Sequence, residues 1–234
     1  MTTEEKCWLL TPSFEGNGYT GMTGNSDGQG WSFGVLSWAC GQGTLQPLIQ
    51  SFHDNGPITF ANCCTAPVNG VVTDLGPDLR GWLKLPTTEA TAWAAARCEP
   101  TGNHDPLPHW IQVFKNLGEV AEYQVLQREA GASYMAVAHN ICRDFGFVTE
   151  RGLALAFDIA VQDGSVRPEA RATYKAVGSE QDRLISLARA VAAASKYPAD
   201  VLSRKMTIAT GSGVVHDRHY NLIAWPGLTL GPIQ

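Results

Sequence analysis

Residues 13–38, SFEGNGYTGMTGNSDGQGWSFGVLSW, read as a helix end, a glycine-rich loop and an aromatic strand that carries a hydroxyl. Glu15 closes a run that is mostly apolar after Lys6 (residues 4–14, EEKCWLLTPSF), so Trp8, Leu9 and Phe14 are expected to wall it in. Such walls disfavour the charged form of a carboxyl and raise its pKa, which suits a proton donor at neutral pH. Asp27 has the opposite surroundings: Asn25, Ser26, Gly28 and Gln29 make a wet loop in which a carboxylate stays ionised. One carboxylic acid and one carboxylate, on a helix end and a hairpin that can face each other across a cleft, are what glycoside hydrolysis uses. The same Asn-Ser-Asp-Gly run is also ordinary turn chemistry, and a Glu before Gly also fits a surface helix end. Both readings stay open on these residues alone.

The window resembles the lysozyme-like superfamily of glycoside hydrolases, especially phage-type muramidases and, more distantly, family 46 chitosanases. In the phage type a helix-ending Glu is followed by a hairpin Asp and then by a Thr in a hydroxyl–Ile–Gly–Ile–Gly strand. Here Ser32-Phe33-Gly34-Val35-Leu36 follows Asp27, so the resemblance implies that Ser32 positions water. The run Gly18 to Gly21, which includes Tyr19, is similar to the chitosanase hairpin. The sequence departs from the phage type in a longer Glu-to-Asp spacing and in Ser for Thr. Gly41 to Leu48 (GQGTLQPL, containing Gln42), Arg151 to Gly164 (RGLALAFDIAVQDG) and Thr210 to Tyr220 (TGSGVVHDRHY) resemble segments of uncharacterised cell-wall hydrolases of phages and interbacterial secretion systems.

With 234 residues, 44% of them hydrophobic, the chain can bury a large core, and no repeat, low-complexity run or linker divides it. The expectation is a mainly α (α+β) lysozyme-like fold, a helical lobe and a small β-hairpin lobe with a cleft between them. It would form one catalytic domain over residues 1–234, with a β-containing region at about 16–43, a helical lobe at about 44–209 and a C-terminal loop at 210–234. The net charge of −5 argues against nucleic acid as a partner. It would draw the protein to cationic chitosan more readily than to an anionic wall. No stretch is long and apolar enough to span a membrane, and the N-terminus lacks the basic and small-residue features of a signal peptide. Synthesis in the cytoplasm and delivery to the wall by a secretion apparatus or by phage lysis are therefore expected.

The six cysteines (Cys7, Cys40, Cys63, Cys64, Cys98, Cys142) show no zinc spacing, and neither a metal nor a cofactor is expected. In an oxidising compartment one or two disulfides would form; in the cytosol the cysteines would be core thiols. A cysteine nucleophile with His216 or His139 as base lacks a local signature.

Thr44 is expected to cap a helix reaching Asn55 and Gly56, with Leu45, Leu48, Ile49 and Phe52 on one face. Residues 57–86 look irregular. Helices are expected at about 87–98, 107–117, 119–144, 149–163, 168–177, 179–196 and 198–209, with Ser179, Glu180 and Asp182 marking one start. In the helix after Thr149, Asp158 and Gln162 lie four apart beside an apolar stripe, fitting either a sugar-binding face or a solvated, helix-to-helix one. His216, Tyr220 and Trp225 fall in a glycine-rich C-terminal loop and can bind sugar or simply pack over the core. Trp31 and Trp38 carry the same ambiguity.

The favoured reading is a muramidase cleaving the β-1,4 bond of the peptidoglycan glycan strand. Glu15 would be the acid, Asp27 would activate water that Ser32 orients, and Tyr19, Trp31, Gln42, Asp158, Gln162, His216 and Tyr220 would bind substrate. An immunity protein and a secretion or phage component are expected partners. Chitosanase, lytic transglycosylase and a silent wall-binding module are the alternatives.

Overall fold

Two-residue strands cannot hold a sheet alone, so the aromatic stretch around Trp31 needs a wall of rings behind it. The computed structural model supplies one, and it describes residues 1–14 and 18–234. Two compact units make up the chain, one from Gly16–Ala130 and the other from Met1–Glu15 with Gly131–Gln234.

In the first unit β1 (Met22–Thr23), β2 (Ser32–Phe33) and β3 (Trp38–Ala39) form an antiparallel sheet in that order. Ser32 pairs with Thr23 on one side and Ala39 on the other. Helices α2 (Leu45–Asn55), α3 (Pro57–Cys63), α4 (Gly76–Leu83), α5 (Thr87–Ala95), α6 (Pro108–Glu119) and α7 (Ala121–Ala130) complete it, with a hairpin of β4 (Thr65–Val68) and β5 (Val71–Asp74). The apolar face expected of α2 is buried through Leu45, Leu48, Ile49 and Phe52. Thr44 precedes the helix but does not cap it. Its hydroxyl instead donates to the Ala39 carbonyl at 3.1 Å and accepts from the Ala39 N–H at 3.0 Å, pinning β3.

The stretch expected to be irregular, 57–86, is mostly regular. Proline in the first turn starts α3 and α4, where its missing N–H costs nothing. Asn69 and Gly70 both take positive φ (50° and 80°), the two-residue turn that matches strand twist in a hairpin.

Trp31 is wholly buried. The rings of Trp82, Trp93, Trp110 and Phe114 surround it at centroid distances of 5.8, 5.4, 5.2 and 5.2 Å. From α7 the buried Gln127 accepts from the Val35 N–H at 2.8 Å and donates to the Tyr19 carbonyl at 3.3 Å. Gly34, at φ +86°, faces that amide so closely that a Cβ would collide with its oxygen. These ties join the sheet to the start of α2 and to α7.

In the second unit α9 (Glu150–Asp163) is central, packed by α1 (Thr3–Phe14), α8 (Ala132–Phe145), α11 (Glu180–Ala193) and α12 (Pro198–Thr210). Every residue from Glu150 to Ala160 is buried, as befits a helix with neighbours all round. The single helix expected over 119–144 is instead α7 and α8, broken at Gly131, where one unit ends and the other resumes. Ser179 and Asp182 form the expected capping box of α11, and Thr149 caps α9 by accepting from Gly152 N–H. Between α9 and α11 lies α10 (Pro168–Thr173).

The expected C-terminal loop contains a hairpin of β6 (Ser212–Val215) and β7 (Arg218–Asn221). Its turn residues His216 and Asp217 both have positive φ, 47° and 62°. Among the described residues no helix is long and apolar enough to cross a membrane.

Trp31→Ala should lower the unfolding free energy by about 3–5 kcal/mol, the cost of a large cavity in a core of rings. Urea unfolding followed by tryptophan fluorescence measures it.

Candidate active site

The last carbonyls of a helix lack intrahelical partners, so the end of α1 must find donors elsewhere. It finds them in the β6–β7 hairpin. His216 Nδ1 donates to the Phe14 carbonyl at 2.7 Å and the Tyr220 hydroxyl donates to the Ser13 carbonyl at 2.9 Å. The Tyr220 ring meets Phe14 edge-on, centroids 4.9 Å apart, and the Arg204 guanidinium lies 5.3 Å from the Phe14 ring centre. Trp8 and Phe14 are buried, whereas Leu9 is exposed and does not join them as a wall. Glu15, next in the chain, lies outside the described residues.

From His216 a chain of polar contacts runs through the unit and returns to Phe14. His216 Nε2 is 2.6 Å from Asp200 Oδ1, and Gln162 Nε2 donates to Asp200 Oδ2 at 3.3 Å. Lys205 Nζ donates to Gln162 Oε1 at 2.8 Å and to Asp158 Oδ2 at 3.0 Å. Arg204 donates to Asp158 Oδ1 at 2.8 Å. Lys205 also pairs with Asp163 at 3.3 Å, close enough for attraction although it lacks hydrogen-bond geometry. Among the described residues, two cations thus meet two carboxylates in a largely dry site.

Four residues expected to bind substrate, Asp158, Gln162, His216 and Tyr220, are brought together by this network. Asp158, however, has no exposed surface, so it orients its neighbours and cannot itself touch a sugar. Asp200, Arg204 and Lys205 join them from α12 without a sequence motif to mark them. The only trace of them in sequence is the spacing of Asp200 and Arg204, four apart on the same helix.

The remaining expected site residues belong to the other unit. Asp27 is exposed and its Oδ1 accepts from the Gln29 N–H at 3.0 Å, while Asn25 Oδ1 accepts from Gly30 N–H at 2.8 Å. The loop is therefore a pinned turn with a carboxylate at its surface. Gln42 is exposed in the next turn, whose Gly41 N–H donates to the Gln29 carbonyl at 2.8 Å. A shallow groove of about 410 Å³ runs along the two turns, lined by Asn25, Gln29, Gly41, Thr87 and Thr91. Ser32 is half-buried on β2 beside the inward-facing Phe33. The Tyr19 hydroxyl accepts from Arg128 at 3.0 Å. Trp31 corrects its expected role, because a ring with no exposed surface cannot stack on a sugar.

The six cysteines are buried and unbonded to one another. Burial pushes the Cys64 and Cys142 thiols up to about 12, helped at Cys64 by neighbouring Cys63 and Asp74 and at Cys142 by Glu180. A thiol so far from ionisation is a poor nucleophile. Among the described residues no three His, Cys, Asp or Glu side chains gather to hold a metal ion.

Burial alone would raise the Asp158 carboxyl, but the charges and hydrogen bonds of Arg204 and Lys205 outweigh it and hold the group at about 2. A carboxyl held below its unfolded value of about 4 adds stability that is complete above that value. That stability is lost as pH falls toward about 2. Asp158→Asn takes away the buried carboxylate that Arg204 and Lys205 both hold and should cost about 3–5 kcal/mol. Urea unfolding across a pH series should show the loss at neutral pH and a shallower acid limb in the variant.

No protein-family model matches the sequence, and no curated protein matches it. Solved structures do. The fold is similar to native chitosanase from Bacillus subtilis MY002, with a TM-score of 0.58 and 16% identity over 90% of this chain and 88% of that one. A mutant of that enzyme, complexed with 6 GlcN, matches equally well (TM-score 0.58, 16% identity, 90% and 88% covered). The Gynuella sunshinyii GH46 chitosanase in complex with chitotetraose matches over 100% of this chain and 99% of its own, with a TM-score of 0.58 and 14% identity. The chain thus has the lysozyme-like α+β fold of the family 46 chitosanases.

Proposed function

We propose that the protein is a glycoside hydrolase that cleaves the β-1,4 bond between N-acetylmuramic acid and N-acetylglucosamine in peptidoglycan. Glu15 protonates the leaving oxygen, Asp27 takes a proton from the attacking water, and Ser32 orients that water. Attack on the face opposite the leaving group inverts the anomeric carbon. The protein reaches the wall through a secretion apparatus or at phage lysis, and an immunity protein protects its producer.

The observation that supports this reading most is the fixing of α1 directly before Glu15, by His216 and Tyr220 on its carbonyls and Arg204 on Phe14. A general acid works only where its approach to the leaving oxygen is repeatable, and a helix end tied from three sides supplies that. The shared fold with hydrolytic enzymes adds to it. Chitosan is the second reading, favoured by the net charge of −5 and by the glucosamine oligomers in the similar structures.

Parallel turnover of purified sacculi and of chitosan separates the two, and mass spectra of the sacculus products should show reducing rather than anhydro ends. Glu15→Gln should reduce turnover by about 10²–10⁴-fold with an unchanged circular dichroism spectrum. A loss below about tenfold removes Glu15 from the role. Asp27→Asn should cost more than Ser32→Ala, and NMR of fresh product should show the α-anomer first. Retention of the β-anomer would make Asp27 a nucleophile.

A further inference from the structure

His216 sits between two acceptors. A backbone carbonyl cannot donate, so the 2.7 Å contact with Phe14 requires a proton on Nδ1. At Nε2 the Asp200 carboxylate approaches to 2.6 Å, where a bare nitrogen lone pair would be repelled. Both contacts can coexist only while the His216–Asp200 pair holds one proton more than a neutral imidazole and a carboxylate. The residue is also held at positive φ (47°), a backbone conformation that a non-glycine residue adopts at a cost. A cation beside the last carbonyl of α1 is favoured by that helix's dipole as well.

Among the described residues, the Asp200 carboxylate favours the extra proton directly and the cations that oppose it lie further off. From α12 Asp200 faces it directly, with Lys205 behind it across Gln162. From α1 the Phe14 carbonyl faces it, with Arg204 on the Phe14 ring and Glu15 next in the chain. On its own hairpin the neighbouring charges are Asp217 and Arg218.

We propose that His216 is a positioning residue that acts as an imidazolium cross-bridge, clamping the end of α1 to Asp200 of α12 and releasing it when the proton is lost. The carboxylate outcompetes the carbonyl for the single remaining N–H, so deprotonation turns the ring to its Nε2–H form and frees the Phe14 carbonyl. The clamp holds while the ring carries both protons and fails as rising pH removes one of them. The proposal rests on the reading of Glu15 as the general acid, but its chemical core is independent of it.

Ring-nitrogen NMR of the full chain with labelled histidine tests that core without any substrate. His216→Ala assigns the signal, and it should show both nitrogens protonated at neutral pH and a shift to the Nε2–H form at higher pH. Removing the anion with Asp200→Asn should move that transition to lower pH. A neutral His216 ring at pH 7, or a transition unmoved in Asp200→Asn, overturns the proposal. On whichever glycan the protein turns over, His216→Ala should lower kcat by about ten- to a hundredfold with little change in KM. It should also remove the His216 contribution to the alkaline limb, which Asp200→Asn shifts to lower pH, and leave the limb set by Glu15. An unchanged pH profile in His216→Ala overturns the positioning role. Failure of the wild-type protein to cleave any glycan instead overturns the hydrolase reading and leaves the NMR result standing.

Discussion

A carboxylate with no exposed surface, held between a guanidinium and an ammonium on the next helix, is the interaction on which the second unit depends. Asp158 makes the burial of Arg204 and Lys205 tolerable, and those two side chains in turn let α12 pack against the central α9. An ion cluster of this kind adds little net stability over a well-packed apolar core, since desolvation consumes most of the attraction. What it does provide is orientation. Arg204 reaches from Asp158 to the Phe14 ring, so the ring at the end of α1 is tied to a group deep in the core.

Much of the architecture was legible because its signals are local. The i, i+3, i+4, i+7 face of α2 and the Ser179–Asp182 box each need only one helix turn or two to be recognised. The irregular-looking stretch at 57–86 misleads because its prolines sit where helices begin, and there they promote the structure they elsewhere break. Trp31 misleads for another reason: strand alternation needs length to act, and β2 has only two residues.

The candidate site was legible in its residue types and not in their placement. Asp158 and Gln162 stand out as a polar pair in an apolar helix, and that much is local. Whether such a pair faces water or a partner is decided by α12, more than forty residues later, and no periodicity within α9 reports it. His216 was visible as a histidine in a glycine-rich tail. Its value comes from a carbonyl two hundred residues earlier in the chain, a separation at which sequence pattern is silent.

Gly34 and Gln127 carry a consequence for how kin of this chain could be found. The glycine leaves room for the amide, and the amide anchors the turn that the glycine makes, so neither position is free to drift by itself. Solved structures that share the fold do so at 14–17% identity, so few single letters are held in common. Two sites bound by mutual exclusion of volume leave a correlated mark instead, one that a search for covarying columns would register where a search for similar letters does not.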